Sequence, residues 1–235
     1  MITEFWEEAV RILHGKHCRT SGHEVVIKAT RTGYFKIYAR DIALGSPFRL
    51  VKHQTTAAYL KQCRELSEWW RIARKWNEIA DGAHELFGKW PITVEREQEI
   101  LEEMTAKLNR TVNQIERFVE RVNAIKPIRS NGWMFIKRTS TGRITDLVWC
   151  TTFIKNTGEV VKLHGKAAYG LIKRALVISG SPRYIEILKN MEAKRGMYVT
   201  KVRELYKWVN SWKRLNAKAE QLYIATVELL EKENA

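Results

Sequence analysis

From Val94 to Ile125, apolar residues return in steps of three, four or seven: Val94, Leu101, Met104, Leu108, Ile115, Phe118, Val122 and Ile125. Only a long α-helix gathers such a set on one side, so this seam constrains the fold more than any other stretch. Glu97 and Thr111 are its polar interruptions. Thr93 stands where a cap belongs, glutamates crowd the first turns, and Pro127 closes the segment. A second seam, Tyr59, Cys63, Leu66, Trp70, Ala73, Trp76, Ala80, Ala83 and Phe87, predicts one helix from Thr55 or Thr56 to about Phe87. The short link from Gly88 to Pro91 predicts that the two form an antiparallel hairpin.

Shorter helices are expected over Thr3 to Leu13 and about Lys166 to Ile178. Ser181-Pro182 supplies a cap and first-turn residue for a further one, and Gly196 marks a break before a last helix from about Met197 to Glu231. Between these helices the period changes to two. Glu24 to Arg40 offers two runs about Thr32-Gly33, with Phe35, Ile37 and Ala39 alternating with Lys36, Tyr38 and Arg40, and Phe48 to Lys52 supplies a third short strand. Trp133 to Arg138, Ile144 to Lys155 and Glu159 to Leu163 predict a three-stranded meander. The fold class expected is α+β: long antiparallel helices, comprising a helical hairpin and a C-terminal helix, with two small antiparallel sheet and helix modules. The boundaries read as 1–54 for an N-terminal helix and basic hairpin module, 55–127 for the helical hairpin, 128–180 for the basic meander and its helix, and 181–235 for the C-terminal helices.

Charge separates these parts. Lys16 to Arg64 is net +8 and Gly132 to Arg174 net +6, so two stretches hold +14 of the chain's +15. Such a surplus attracts nucleic acid, an anionic membrane or an acidic protein. Membrane is excluded, because no run approaches eighteen apolar residues and the long helices balance their own charges. A sheet with one side against a helix leaves its other side for cations that neutralise phosphates and for rings that stack on bases. The residues expected there are Lys28, Arg31, Lys36, Tyr38, Arg40, Arg49 and Lys52 in the first module, and Trp133, Lys137, Arg138, Arg143, Lys155, Lys162 and Lys166 in the second. Most of the nine tryptophans sit at seam positions and belong to the core, Trp133 and Trp149 being the least decided.

Val51 to Arg64 and Val161 to Arg174 agree at six of fourteen positions, Ala-Ala-Tyr among them, which is compatible with a duplicated unit or with two similar strand-to-helix junctions. Tyr34 to Asp41, Leu44-Gly45-Ser46 and Ala57-Ala58-Tyr59 faintly resemble, in order, the strand, turn and helix of the AP2 and integrase arm-binding domains. That resemblance covers fewer than forty residues, with a longer gap between Leu44 and Ala57 than the pattern expects. It implies a three-stranded DNA-binding sheet packed on a helix.

Three widely spaced cysteines, Cys18, Cys63 and Cys150, argue against a disulfide framework and for a reducing compartment, so cytoplasm is expected. His14, His17, Cys18 and His23 lie within ten residues, but structural zinc draws on two separated pairs, so no metal site is assigned. No phosphate-cradling, HExxH or GxSxG motif occurs, and no catalytic residue and no cofactor are assigned. The resulting expectation is a non-enzymatic nucleic-acid-binding protein, with DNA preferred to RNA. The alternatives are an inhibitor or assembly protein gripping an acidic partner, and a metal-dependent nuclease or recombination accessory. The seams also allow a homodimer.

Overall fold

In the computed structural model, residues 1–180 and 182–235 are described, with the side chains of 53 and 54 excepted. The fold is α+β, and the chain divides into two units, Met1–Leu101 with Asn210–Ala235, and Glu102–Val209. In the first unit α1 (Ile2–Leu13) leads to a sheet of β1 (His17–Arg19), β2 (His23–Ala29), β3 (Phe35–Asp41) and β4 (Arg49–Leu50), antiparallel and in chain order. Then come α2 (His53–Gln62) and α3 (Arg64–Phe87). The long α4 (Val94–Ala124) begins in this unit and runs into the second, where α5 (Lys126–Arg129) precedes a sheet of β5 (Trp133–Arg138), β6 (Ile144–Ile154) and β7 (Val160–His164). The helix α6 (Gly165–Ile178) follows, and α7 (Pro182–Asn234) starts in the second unit and ends in the first.

Strand alternation decides which residues enter each core. In the first sheet Val25, Ile27, Phe35 and Ile37 point inward, against Ile2, Trp6, Ala9 and Leu13 of α1 and Trp69, Ala73 and Trp76 of α3. The end of α7 completes this core with Ala219 and Leu222, and Thr226 accepts the indole N–H of the fully buried Trp76 at 3.2 Å. In the second unit Met134, Leu147 and Trp149 pack with Ala168, Ile172 and Leu176 of α6 and with the α4 seam residues Ile115, Phe118 and Val122.

Several sequence expectations need correction. The helix expected from Thr55 to Phe87 is two, because Cys63 adopts an extended backbone (φ −139°, ψ 91°) between α2 and α3. Cys63 is paired with Cys18 across 45 residues, their Cα atoms 6.5 Å apart, so two of the three cysteines join as a disulfide and Cys150 is the free one. Gly196 does not break the last helix: α7 passes through it, its local propensity cost being small against 53 helical residues. Pro127 ends α4 but also starts α5, in whose first turn its missing N–H costs nothing. The expected cap at 181 lies outside the described residues. Strand β1 has no counterpart in the sequence reading, since three residues are too few to show a period.

The suspected repeat extends into the hairpins. Thr30 to Tyr34 and Thr139 to Arg143, 109 positions apart, close their turns with the same contacts. Thr30 N–H donates to Tyr34 O and Thr139 N–H to Arg143 O, both at 2.8 Å; Gly33 and Gly142 donate back to the threonine carbonyls at 3.1 and 2.9 Å. Each threonine hydroxyl accepts the N–H four residues on, at 3.1 and 3.2 Å, and meets the next threonine hydroxyl. From Val51 onward the spacing becomes 110. The added residue is the bulge in β6, where Lys137 pairs with Asp146 and Arg138 with Ile144, leaving Thr145 over. With that one insertion Phe35 matches Ile144 and Ile37 matches Leu147, all four 1–2 % exposed. The third strands differ: β4 pairs with the middle of β3, whereas β7 pairs with the end of β6.

Candidate nucleic-acid interface

The side of the first sheet turned away from its core carries Arg19, Glu24, Lys28, Lys36, Tyr38 and Arg40, as the strand register dictates. Phe48, just before β4, joins them: the Lys28 ammonium lies 4.5 Å and the Arg40 guanidinium 4.8 Å from its ring centre. Lys28 also lies 5.5 Å from the Tyr38 ring. These contacts, worth about 0.5–1 kcal/mol each at exposed sites, hold cations and rings side by side. Glu24 takes one of the charges, accepting from Arg40 at 2.6 Å. Lys28 and Lys36 make no ion pair among the described residues.

On the second sheet the corresponding side presents Trp133, Phe135 and Lys137 from β5, Cys150 and Thr152 from β6, and Lys162 and His164 from β7. Lys162 sits 5.4 Å from the Trp133 ring centre, Phe135 meets His164 edge-on at 5.9 Å, and His164 Nδ1 is 3.0 Å from the Cys150 sulfur. Lys137 and Lys162 make no ion pair among the described residues. Asp146, across from Lys137, turns its carboxylate to Arg195 at 3.2 Å and Arg203 at 3.8 Å on α7.

Of the fourteen residues singled out by sequence, Lys28, Lys36, Tyr38 and Arg40 gather on the first face and Trp133, Lys137 and Lys162 on the second. Arg31 occupies the exposed β2–β3 turn. Arg49, opposite Ala39, belongs to the other side of the strand and lines an edge cleft with His23, Lys52 and Tyr59. Arg138 donates to Glu116 on α4 at 2.6 Å and to Gly142 O at 2.9 Å, so its charge is already met. Arg143 stacks on Tyr206 of α7 at 4.7 Å, and Lys155 pairs with Glu159 at 2.8 Å in the β6–β7 turn. Lys166 is exposed in the first turn of α6. Sequence reasoning missed Phe48, Phe135 and His164. Period-two alternation with Trp133 and Lys162 flags the last two, while Phe48 sits in an irregular segment with no period to betray it.

The tryptophans divide as their positions suggest. Trp149, on the core side of β6, is 1 % exposed and donates its indole N–H to Glu192 at 2.7 Å, whereas Trp133 is half-buried on the open face. Burial pushes the Cys150 thiol up, with Lys162 pulling weakly the other way, so its pairing with His164 does not supply a ready thiolate. The four residues weighed as zinc ligands have other occupations: His14 accepts from Ala29 N–H at 3.1 Å, His17 contacts Gly15 O, Cys18 is in the disulfide, and His23 packs edge-on against Tyr59. Among the described residues no group of three or more His, Cys, Asp or Glu is placed to hold a metal ion, and no helix is long and apolar enough to cross a membrane. Comparison with protein-family models, with curated proteins and with solved structures gives no match to this chain.

Proposed function

We propose that this chain is a non-enzymatic nucleic-acid-binding protein, with DNA preferred to RNA, whose contacts are the open faces of its two sheets. The observation that carries this reading is the division of sides within each sheet. One side is apolar and buried, and the other interleaves unneutralised lysines with rings: Lys28, Lys36, Tyr38 and Phe48 in one unit, Trp133, Phe135, Lys137 and Lys162 in the other. Lysines so placed neutralise phosphates and release condensed counterions, and neighbouring rings offer surfaces on which bases stack.

The test is an equilibrium binding series with duplex DNA, single-stranded DNA and RNA over increasing salt. Each phosphate contact contributes about −0.9 to the slope of log K against log salt on duplex DNA, so the two lysines of one face predict a slope of roughly −2 for each duplex bound. Submicromolar binding with that slope, tightest for DNA, is the expected result. Tight binding to an acidic polypeptide with none to any nucleic acid contradicts the reading.

A further inference from the structure

From the repeated hairpin and the two open faces we infer that the chain is a bridging protein: each unit carries its own copy of one polyanion site, and one chain holds two separate nucleic-acid segments. The inference rests on the proposed function and adds valency to it. Three observations lead there. The turns from Thr30 and Thr139 are closed by matching hydrogen bonds, and a single bulge at Thr145 accounts for the change of spacing from 109 to 110, so the two sheets are variants of one module. Three cations match by sequence, Lys28 with Lys137, Lys52 with Lys162 and Arg64 with Arg174, and of these the first pair stands at the same strand position in both sheets. Lys28, Lys137 and Lys162 all stand on the open faces, and Lys52 is exposed where α2 begins.

The surroundings have diverged, Lys36 across from Lys28 being matched by Asp146 across from Lys137, while the lysine at 28 and 137 has stayed. Lys28 lies over the Tyr38 and Phe48 rings, whereas on the second face Lys162 lies over Trp133 and Lys137 shares the strand face with Phe135. Core positions must retain apolar bulk to fold, but an exposed lysine carries no such demand. Its retention in both modules fits a shared task of meeting phosphate. Each face also sits on a core of its own, so each unit presents its cations without borrowing a residue from the other.

Two DNA duplexes, one with a donor and one with an acceptor dye, are mixed with the full chain at concentrations where sedimentation shows a monomer. Three proteins are compared: wild type, Lys28→Glu with Lys36→Glu, and Lys137→Glu with Lys162→Glu, all checked for unchanged circular dichroism. The expected result is energy transfer with wild type only, while each double variant still binds a single duplex, within about tenfold of wild-type affinity, and bridges none. Binding by wild type of one duplex per chain without energy transfer overturns the inference and leaves the proposed function standing. So does a pair of variants of which one abolishes all binding and the other changes nothing. Absence of binding to any nucleic acid overturns both.

Discussion

Glu97 shows how one residue can look like an error in a pattern and be a linchpin of the fold. It interrupts the α4 seam, is fully buried, and accepts three hydrogen bonds: from Ile2 N–H at 3.2 Å, Thr3 N–H at 2.8 Å and the Trp212 indole at 2.9 Å. Two of those donors are the unpaired amides that open α1, where a negative charge is favoured by the helix dipole. Replacing Glu97 with Ala leaves three buried donors without an acceptor and is expected to cost about 2–4 kcal/mol, read as a lowered denaturation midpoint with unchanged slope. Glu192 and Glu233 repeat the device on α7. Glu192 accepts from Trp149 and Arg195, and Glu233 from Trp69 and Lys16. Burial alone would push Glu192 up, but the bonds from Arg195 and Trp149 hold it below the usual carboxylate value; Lys16 does so for Glu233. A carboxylate held low in the folded state stabilises above its unfolded value, near 4.5, and loses that contribution as pH falls through the folded value. Melting temperature is therefore expected to drop below about pH 4.5, and Glu192→Gln to flatten that drop. Gly33 and Gly142 distinguish a turn from a turn that also packs. Both have positive φ, +75° and +78°, but a Cβ on Gly33 would strike the Trp90 ring and one on Gly142 meets open space. Gly142→Ala is expected to cost roughly 1–2 kcal/mol from backbone strain, and Gly33→Ala clearly more, by the same denaturation measurement.

The two sheets protect an edge in the same way. Asn77 on α3 accepts from Phe35 N–H at 2.7 Å and donates to Phe35 O at 3.0 Å, and Asn123 on α4 does the same for Met134 at 2.8 and 2.9 Å. A single amide thereby satisfies both backbone groups of a strand residue that has no ladder partner on that side. Alanine at either position is expected to cost about 1–3 kcal/mol and to raise hydrogen exchange at the adjoining strand, measured by exchange mass spectrometry. Helices and strands were legible in the sequence because their apolar periods are long: the α4 seam and the Phe35, Ile37, Ala39 alternation both survive folding. In the sequence Cys63 is indistinguishable from a further seam position, since a helix break at a residue whose partner lies far along the chain leaves no local mark. The asparagine clasps were invisible for the same reason. On the faces, alternation found Lys28, Lys36, Lys137 and Lys162, but it could not foresee that Arg138 would be drawn to Glu116 or Arg143 to Tyr206, because those partners lie on helices.

At the scale of the chain, the surplus of positive charge acquires a place. The sequence confines +14 to two stretches, and in each of the two units an open sheet face gathers lysines that no carboxylate answers among the described residues. If those faces are the contact surface, position should matter more than total charge. The decisive measurement compares two quadruple variants of identical net charge for binding to one DNA duplex at fixed salt. One carries Lys28→Glu, Lys36→Glu, Lys137→Glu and Lys162→Glu; the other carries Lys75→Glu, Lys107→Glu, Lys213→Glu and Lys218→Glu on exposed helical positions. The faces account predicts a loss of roughly a hundredfold or more for the first and less than about tenfold for the second. Equal losses in the two would mean that binding follows the overall charge and that the sheet faces are not where it happens.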